Sequence, residues 1–148
     1  MLLEATIIAV GIQLTCLAQN IYFESRDQPT VGQMAVASVV LNRVHDSRYP
    51  NTICGVVKQG PTYSWKKDFP VRHRCQFSWY CDGKSDTPTE QRAWNHAINV
   101  AQEVYYTYSL GVFNMIDGAT HYHTLEVDPD WHNYLEEVAV INNHVFYR

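Results

Sequence analysis

Apolar residues dominate the chain from position 2 to position 18, LLEATIIAVGIQLTCLA, and the run continues through Asn20-Ile21-Tyr22-Phe23. This pattern predicts a first, largely buried helix over about 2–25. Asp27-Gln28-Pro29 breaks it, and Thr30-x-x-Gln33 then has the form of a capping box. The next helix, about 31–44, is apolar almost all round (Val31, Met34 to Ala37, Val39 to Leu41, Val44), which places it at the centre of a fold. Tyr49-Pro50 and Thr52 predict a loop and a short third helix near 53–58. Residues 59–86 are punctuated by Gly60, Pro61, Pro70 and Gly83, so irregular structure with one small hairpin is expected. Thr87-Pro88-Thr89-Glu90 combines a second capping box with proline at a first helical position. The helix that follows carries Trp94, Ala97, Ile98, Ala101, Val104, Tyr105 and Tyr108 on one face, with Gly111 as its stop. Beyond it come GATHYH, the turn-like Asp128-Pro129-Asp130 and a closing strand segment, VAVINNHVFYR. Neither repeats nor linkers interrupt the pattern, so a single domain is expected.

Composition narrows the class. Of 148 residues, 46% are apolar and 18% charged, a globular balance rather than a disordered one. Ten Tyr, five Phe and four Trp are many for this length, and ring faces suit sugar-binding clefts as well as cores. With a net charge of −4 and no run of Lys or Arg, a nucleic-acid groove is not expected. The absence of a Gly-rich phosphate loop argues against nucleotide cofactors, and no cofactor is expected. The opening run lacks a basic start and carries Glu4 and Gln13, so it is read as the first helix rather than a signal peptide. It is also too short and polar for a membrane span, and stable membrane insertion is not expected. Among the four cysteines, Cys16 reads as a buried thiol, whereas Cys75 and Cys81 flank QFSWY and are expected to bridge. Such a bridge implies an oxidising compartment, with Cys54 left free or in a competing pair. Their spacing does not suit zinc.

Glu24 stands out chemically. At the end of the first helix, behind Ile21, Tyr22 and Phe23, its ionised form is disfavoured by the helix dipole and by aromatic packing. A carboxyl kept protonated there suits a general acid for glycosidic cleavage. A solvated helix-end glutamate is the plainer alternative.

The segments NIYFESRDQPTVGQMAVASVVLNRV, YPNTICGVV, CQFSWYCDG, GATHYH, DPDW and NNHVFYR follow the order and spacing of a known family. Over roughly residues 15–148 the chain resembles the SleB-type cell wall hydrolases, known from spore-cortex-lytic enzymes and phage lysins. That resemblance implies an α+β, mainly α, lysozyme-like fold of the goose-type transglycosylase kind, with residues 1–148 as one catalytic domain. It also implies cleavage of the β-1,4 bond between N-acetylmuramic acid and N-acetylglucosamine, with the family's catalytic glutamate falling on Glu24. The familiar Gly-Glu-Ala-Arg reads Phe-Glu-Ser-Arg here, so Phe23 replaces a glycine beside the acid.

Counting carboxylates separates the possible chemistries. A retaining glycosidase needs a second carboxylate ~5–5.5 Å from the acid, and an inverting one needs it ~6.5–9.5 Å away. Asp27 and Asp82 are the candidates, although Asp82-Gly83 reads as turn chemistry. Without a second carboxylate, the muramic N-acetyl and 6-hydroxyl groups do the work and leave a 1,6-anhydro end. This lytic transglycosylase is the leading expectation, with muramidase as the alternative.

Gln76 and Ser78 match the family's Gln-Phe-Ser and are read as holding an N-acetyl group or as closing a hairpin. Tyr122 matches a tyrosine kept near the acid. His121 and His123, two apart, face one side of a strand as polar cleft residues; with His144 they also suggest a metal, and a zinc amidase using His121, His123 and a cysteine or aspartate is an alternative. Trp131 and Asn143–Tyr147 are read as packing, Asn42-Arg43 as an anchor for helix two, and Arg26 as a partner for an acidic side chain. The remaining alternative is a non-catalytic wall-binding module. The expected partner is the peptidoglycan glycan strand, met by a monomer at the cell wall, in the periplasm or outside; a phage lysin would be made in the host cytoplasm.

Overall fold

The computed structural model describes residues 2–111 and 115–148, with residues 2–9 described as backbone only. Burial of the first helix's opening turns therefore lies outside the described side chains.

Among the described residues four α-helices build the body: α1 (Leu2–Ser25), α2 (Thr30–Val44), α3 (Ile53–Val57) and α4 (Gln91–Ser109). Their apolar faces meet in one cluster, with Leu17 and Ile21 of α1, Val40 of α2, Val56 of α3 and Val104 of α4 fully buried. A second cluster joins Ala35 and Val39 of α2 to Ala119 and Phe146. The apolar circumference of α2 has its reason here, because one side meets the helices and the other meets a sheet. On α4 the buried residues are Ala97, Val100, Ala101 and Val104, and the helix stops at Leu110 and Gly111, the latter at φ 69°. No helix among the described residues is long and apolar enough to cross a membrane.

The sheet is antiparallel, in the order β3 (His121–Thr124), β5 (His144–Tyr147), β4 (Glu137–Ile141). The β4–β5 connection turns at Asn142, φ 53°, a conformation asparagine tolerates. This turn presses on α2 so closely that a Cβ on Gly32 would sit 2.8 Å from Asn142 Nδ2. A separate two-stranded hairpin, β1 (Thr62–Tyr63) with β2 (Lys66–Pro70), projects from the irregular region.

The end of α2 is anchored as its sequence led us to expect. Asn42 Nδ2 donates to the Ala119 carbonyl (2.8 Å) and Arg43 Nε to the Thr120 carbonyl (2.8 Å), while Tyr108 Oη donates to Asn42 Oδ1 (2.9 Å). These bonds tie α2 and α4 to the strand that starts at His121. Arg26 pairs with Glu90 at 3.0 Å.

Several local expectations are corrected. Neither capping box forms. Pro29 is the N-cap of α2, while Thr30 Oγ1 lies 3.1 Å from His96 Nε2 and Gln33 Nε2 donates to the Gln28 carbonyl (3.1 Å). Helix α4 begins at Gln91 rather than Pro88, and the Thr89 and Glu90 N–H groups donate to Tyr22 Oη (3.2 and 3.1 Å). In both cases a partner from another element displaced the local one.

Residues Ser78–Cys81 form a 3₁₀ turn, not a hairpin. The Cys75–Cys81 bridge is present, with Cα atoms 6.1 Å apart. Cys16, expected as a free thiol, is instead bridged to Cys54 at a Cα separation of 5.3 Å. The reason is the docking of α3 on α1, where the Cys54 N–H donates to Gln13 Oε1 (2.8 Å) and brings the two cysteines together.

Candidate active site

The last turns of α1 are fixed on two sides. Tyr22 is buried, and Phe23 stacks on Trp79 with ring centroids 4.8 Å apart. The Trp79 indole in turn donates to Asn20 Oδ1 (2.9 Å). Phe23 is thus engaged with Trp79 rather than lining the cleft that Glu24 enters.

That cleft, of about 290 Å³, lies between the helical body and the sheet. Glu24 and Arg43 come from α1 and α2, and His121 and Tyr122 from β3. Gln76, Phe77 and Ser78 line it from the loop stapled by Cys75–Cys81, and Trp131 from the 3₁₀ turn Asp130–Tyr134. Within the stapled loop the burial alternates: Phe77 enters the core while Gln76 and Ser78 stay exposed. The Gln76 N–H donates to the Gln59 carbonyl (2.9 Å), which adds a second tether.

Burial raises the Glu24 carboxyl to about 7, against the opposing pull of the Tyr122 hydroxyl and of the Arg43 charge. Tyr122 is held well above its ordinary value by burial and then by Glu24, so its hydroxyl stays a proton donor at neutral pH. His121 is lowered by burial and by Arg43 and Arg48, which keeps its imidazole neutral. Glu24 is the one carboxyl lining the cleft among the described residues. Asp27 and Asp82 stand outside the lining, and Asp82 Oδ1 accepts the Lys84 N–H (2.8 Å), a turn contact. The arrangement sets a carboxyl raised toward neutral pH in one cleft with a phenol, a guanidinium and uncharged polar side chains.

A model of the cell wall hydrolase family matches residues 27–147. The chain belongs to the cell wall hydrolase family. Its match begins just after Glu24. Over 41 residues the chain is 51% identical to a spore cortex-lytic enzyme of Bacillus cereus and 46% identical to one of Bacillus subtilis strain 168. Those stretches cover 28% of this chain but only 16% and 13% of the relatives, well under two thirds of their length. The fold is similar to the catalytic domain of the germination-specific lytic transglycosylase SleB from Bacillus anthracis (TM-score 0.62, 23% identity), covering 92% of this chain and 93% of that one. It is equally similar to the catalytic domain of Bacillus cereus SleB (TM-score 0.62, 24% identity, 92% and 89% covered). The fold is accordingly the mainly α, lysozyme-like one expected for the family.

Of the residues singled out in the sequence, Gln76, Ser78, His121 and Tyr122 meet Glu24 in one cleft. His123 does not line it. Its ring stacks on Tyr147 (5.3 Å) and its Nε2 lies 2.8 Å from the Tyr147 hydroxyl. Both His121 and His123 contact the Trp131 ring (centroids 5.3 and 5.7 Å), so the shared side of the strand serves to support a tryptophan. His144 lies edge-on to the Tyr122 ring at 5.2 Å. Among the described residues no three His, Cys, Asp or Glu side chains are grouped to hold a metal.

Two cleft residues were read from sequence only as structural, Trp131 and Arg43. A signal for Arg43 existed in the pattern: it is a cation near the end of a helix that is otherwise apolar all round.

Proposed function

We propose that this chain cleaves the β-1,4 bond between N-acetylmuramic acid and N-acetylglucosamine in peptidoglycan as a lytic transglycosylase, with Glu24 as acid and then base. The observation that carries this is a cleft whose lining holds a single carboxyl among the described residues, raised by burial to about 7 so that a protonated population persists at neutral pH. In the first step the Glu24 proton passes to the glycosidic oxygen, the C1–O bond breaks, and the N-acetylglucosamine side leaves as an alcohol. Positive charge at C1 of the muramic residue is relieved by its own N-acetyl oxygen. In the second step the muramic 6-hydroxyl attacks C1 and gives its proton to the Glu24 carboxylate. This closes a 1,6-anhydro ring and restores the acid. No water is consumed.

Gln76 and Ser78 suit the N-acetyl group, Tyr122 orients the acid, His121 faces the sugar as a neutral polar group, and Trp131 offers a ring face to a pyranose. His123 acts through Trp131. A muramidase of the two-carboxylate kind needs a second carboxylate near Glu24, and the cleft lining offers none among the described residues. Residues 1–148 are read as one catalytic domain, acting as a monomer on glycan strands at the wall. Two disulfides suit an oxidising site of action, periplasmic or extracellular. The name of the Bacillus anthracis relative, a lytic transglycosylase, agrees with this chemistry.

The test is Glu24→Gln beside Asp27→Asn and Asp82→Asn. The first is expected to keep its circular dichroism and lose ~10²–10⁴-fold in wall clearing, and the other two to stay active. A folded Glu24→Gln that clears walls at a rate close to the parent's overturns the assignment.

A further inference from the structure

Arg43 is only 6% exposed, and among the described residues it makes no ion pair within 4.0 Å. Its Nε is spent on the Thr120 carbonyl, and its plane lies near the Tyr49 and Phe77 rings (5.0 and 5.4 Å). Its Nη1 is buried with no hydrogen-bond partner. A buried cation held only by neutral groups is costly, and an orphaned buried donor is rare enough to need a reason. Both facts occur beside Glu24, in the wall of the same cleft.

We infer that Arg43 is a positioning residue that receives the ionised form of Glu24, its unpaired guanidinium gaining an anionic partner only after the acid has given up its proton. The inference rests on the reading of Glu24 as the general acid. While the carboxyl is protonated, Arg43 gains little from it. As the proton leaves for the glycosidic oxygen, the carboxylate forms within the field of a cation already fixed in place. An interaction stronger in the transition state than at rest accelerates the step instead of merely tightening binding. When the muramic 6-hydroxyl returns a proton to Glu24, the guanidinium is unpaired again and the cycle closes.

The other groups facing Glu24 do not supply this charge. From β3, Tyr122 presents its hydroxyl as a neutral phenol, and His121 is neutral. From the stapled loop come uncharged Gln76 and Ser78. Tyr49 is an aromatic neighbour of the guanidinium, its ring centroid 5.0 Å from Arg43 Cζ. Arg43 is the one Lys or Arg side chain lining the cleft with Glu24 among the described residues.

The experiment is a carbon-detected NMR titration of the Glu24 carboxyl in the full chain, in the parent, Arg43→Gln and Arg43→Lys, alongside the pH profile of wall clearing. Arg43→Gln keeps a donor for Thr120 and removes the charge; Arg43→Lys keeps the charge. Arg43→Gln should raise the Glu24 midpoint by roughly one unit. Because the acid must start protonated, the alkaline limb of the rate profile should move up with it while the maximal rate falls. Arg43→Lys should return both the midpoint and the limb toward the parent. In the parent, the Arg43 side-chain N–H signals should shift with the Glu24 midpoint and lose that response in Glu24→Gln. An unmoved midpoint in Arg43→Gln overturns the inference, and so do parent Arg43 signals indifferent to Glu24, even if Arg43→Gln does not fold. A coupled titration in a parent that cuts no glycan supports the electrostatic link and overturns the transglycosylase reading instead.

Discussion

Replacing Glu24 by glutamine should make the protein more stable, and only above a definite pH. The native structure holds this carboxyl at about 7 against an ordinary 4.5, chiefly through burial. Below pH 4.5 the group is protonated in both the folded and unfolded chains and contributes no difference. Between 4.5 and 7 the unfolded chain gives up the proton while the folded one retains it, so stability falls as pH rises. Above 7 the loss is complete, at about 3 kcal/mol on the full shift. Glutamine carries the same shape without the titration, and its carbonyl can still accept from Tyr122. Its amide adds two donors that need partners, which lowers the expected gain to about 2 kcal/mol. Urea unfolding followed by circular dichroism at pH 4, 5.5, 7 and 8.5 measures the difference between variant and parent. That difference should open between pH 4.5 and 7 and stay constant beyond. A gap independent of pH, or a variant less stable at pH 8.5 than the parent by more than at pH 4, refutes the claim that Glu24 is neutral in the folded cleft.

Tyr122→Phe removes the hydroxyl whose pull favours the carboxylate, so the alkaline limb of wall clearing should move to higher pH and the maximal rate should fall about tenfold; an unchanged profile places Tyr122 outside the acid's environment. Trp131→Ala should weaken glycan binding by about 1 kcal/mol or more through lost ring stacking, with Trp131→Phe recovering most of it, measured as KM on soluble glycan fragments. For the disulfides, Cys54→Ala should lower stability by about 4 kcal/mol in the chain-entropy model and Cys81→Ala by about 2, since the first bridge closes the longer loop. Activity should respond in the opposite order, because the short loop carries Gln76 and Ser78. Non-reducing peptide mapping that pairs Cys54 with Cys75 or Cys81 contradicts both expectations.

The helices were legible because their signals are local. The run ending at Ser25, the Pro29 break and the all-round apolar α2 each follow from periodicity, and the structure places α1 at Leu2–Ser25 and α2 at Thr30–Val44. What local pattern missed was decided by neighbours distant in sequence. The hydroxyl of Thr30 faces His96 and the donors of Thr89 and Glu90 go to Tyr22, so both capping boxes gave way to tertiary partners. Periodicity showed that Cys16 is buried but not that α3 lies against it, 38 positions along the chain. The tight 75–81 loop was recognised as stapled, yet residues 78–81 wind into a 3₁₀ turn because Phe77 and Trp79 enter the core. Of the residues lining the cleft, Glu24, Gln76, Ser78 and Tyr122 were singled out through motif spacing and His121 through its place on a strand. Arg43 and Trp131 were not, since a cation on a buried helix face and a tryptophan after a turn read equally well as anchoring and packing.

The most direct measurement is mass spectrometry of sacculi digested in water labelled with heavy oxygen. A single-carboxyl cleft that uses the muramic 6-hydroxyl predicts muropeptides lighter by one water than hydrolysis products, carrying 1,6-anhydro ends and no label. Reducing muramic ends carrying the heavy oxygen would show that water is the nucleophile and contradict the account.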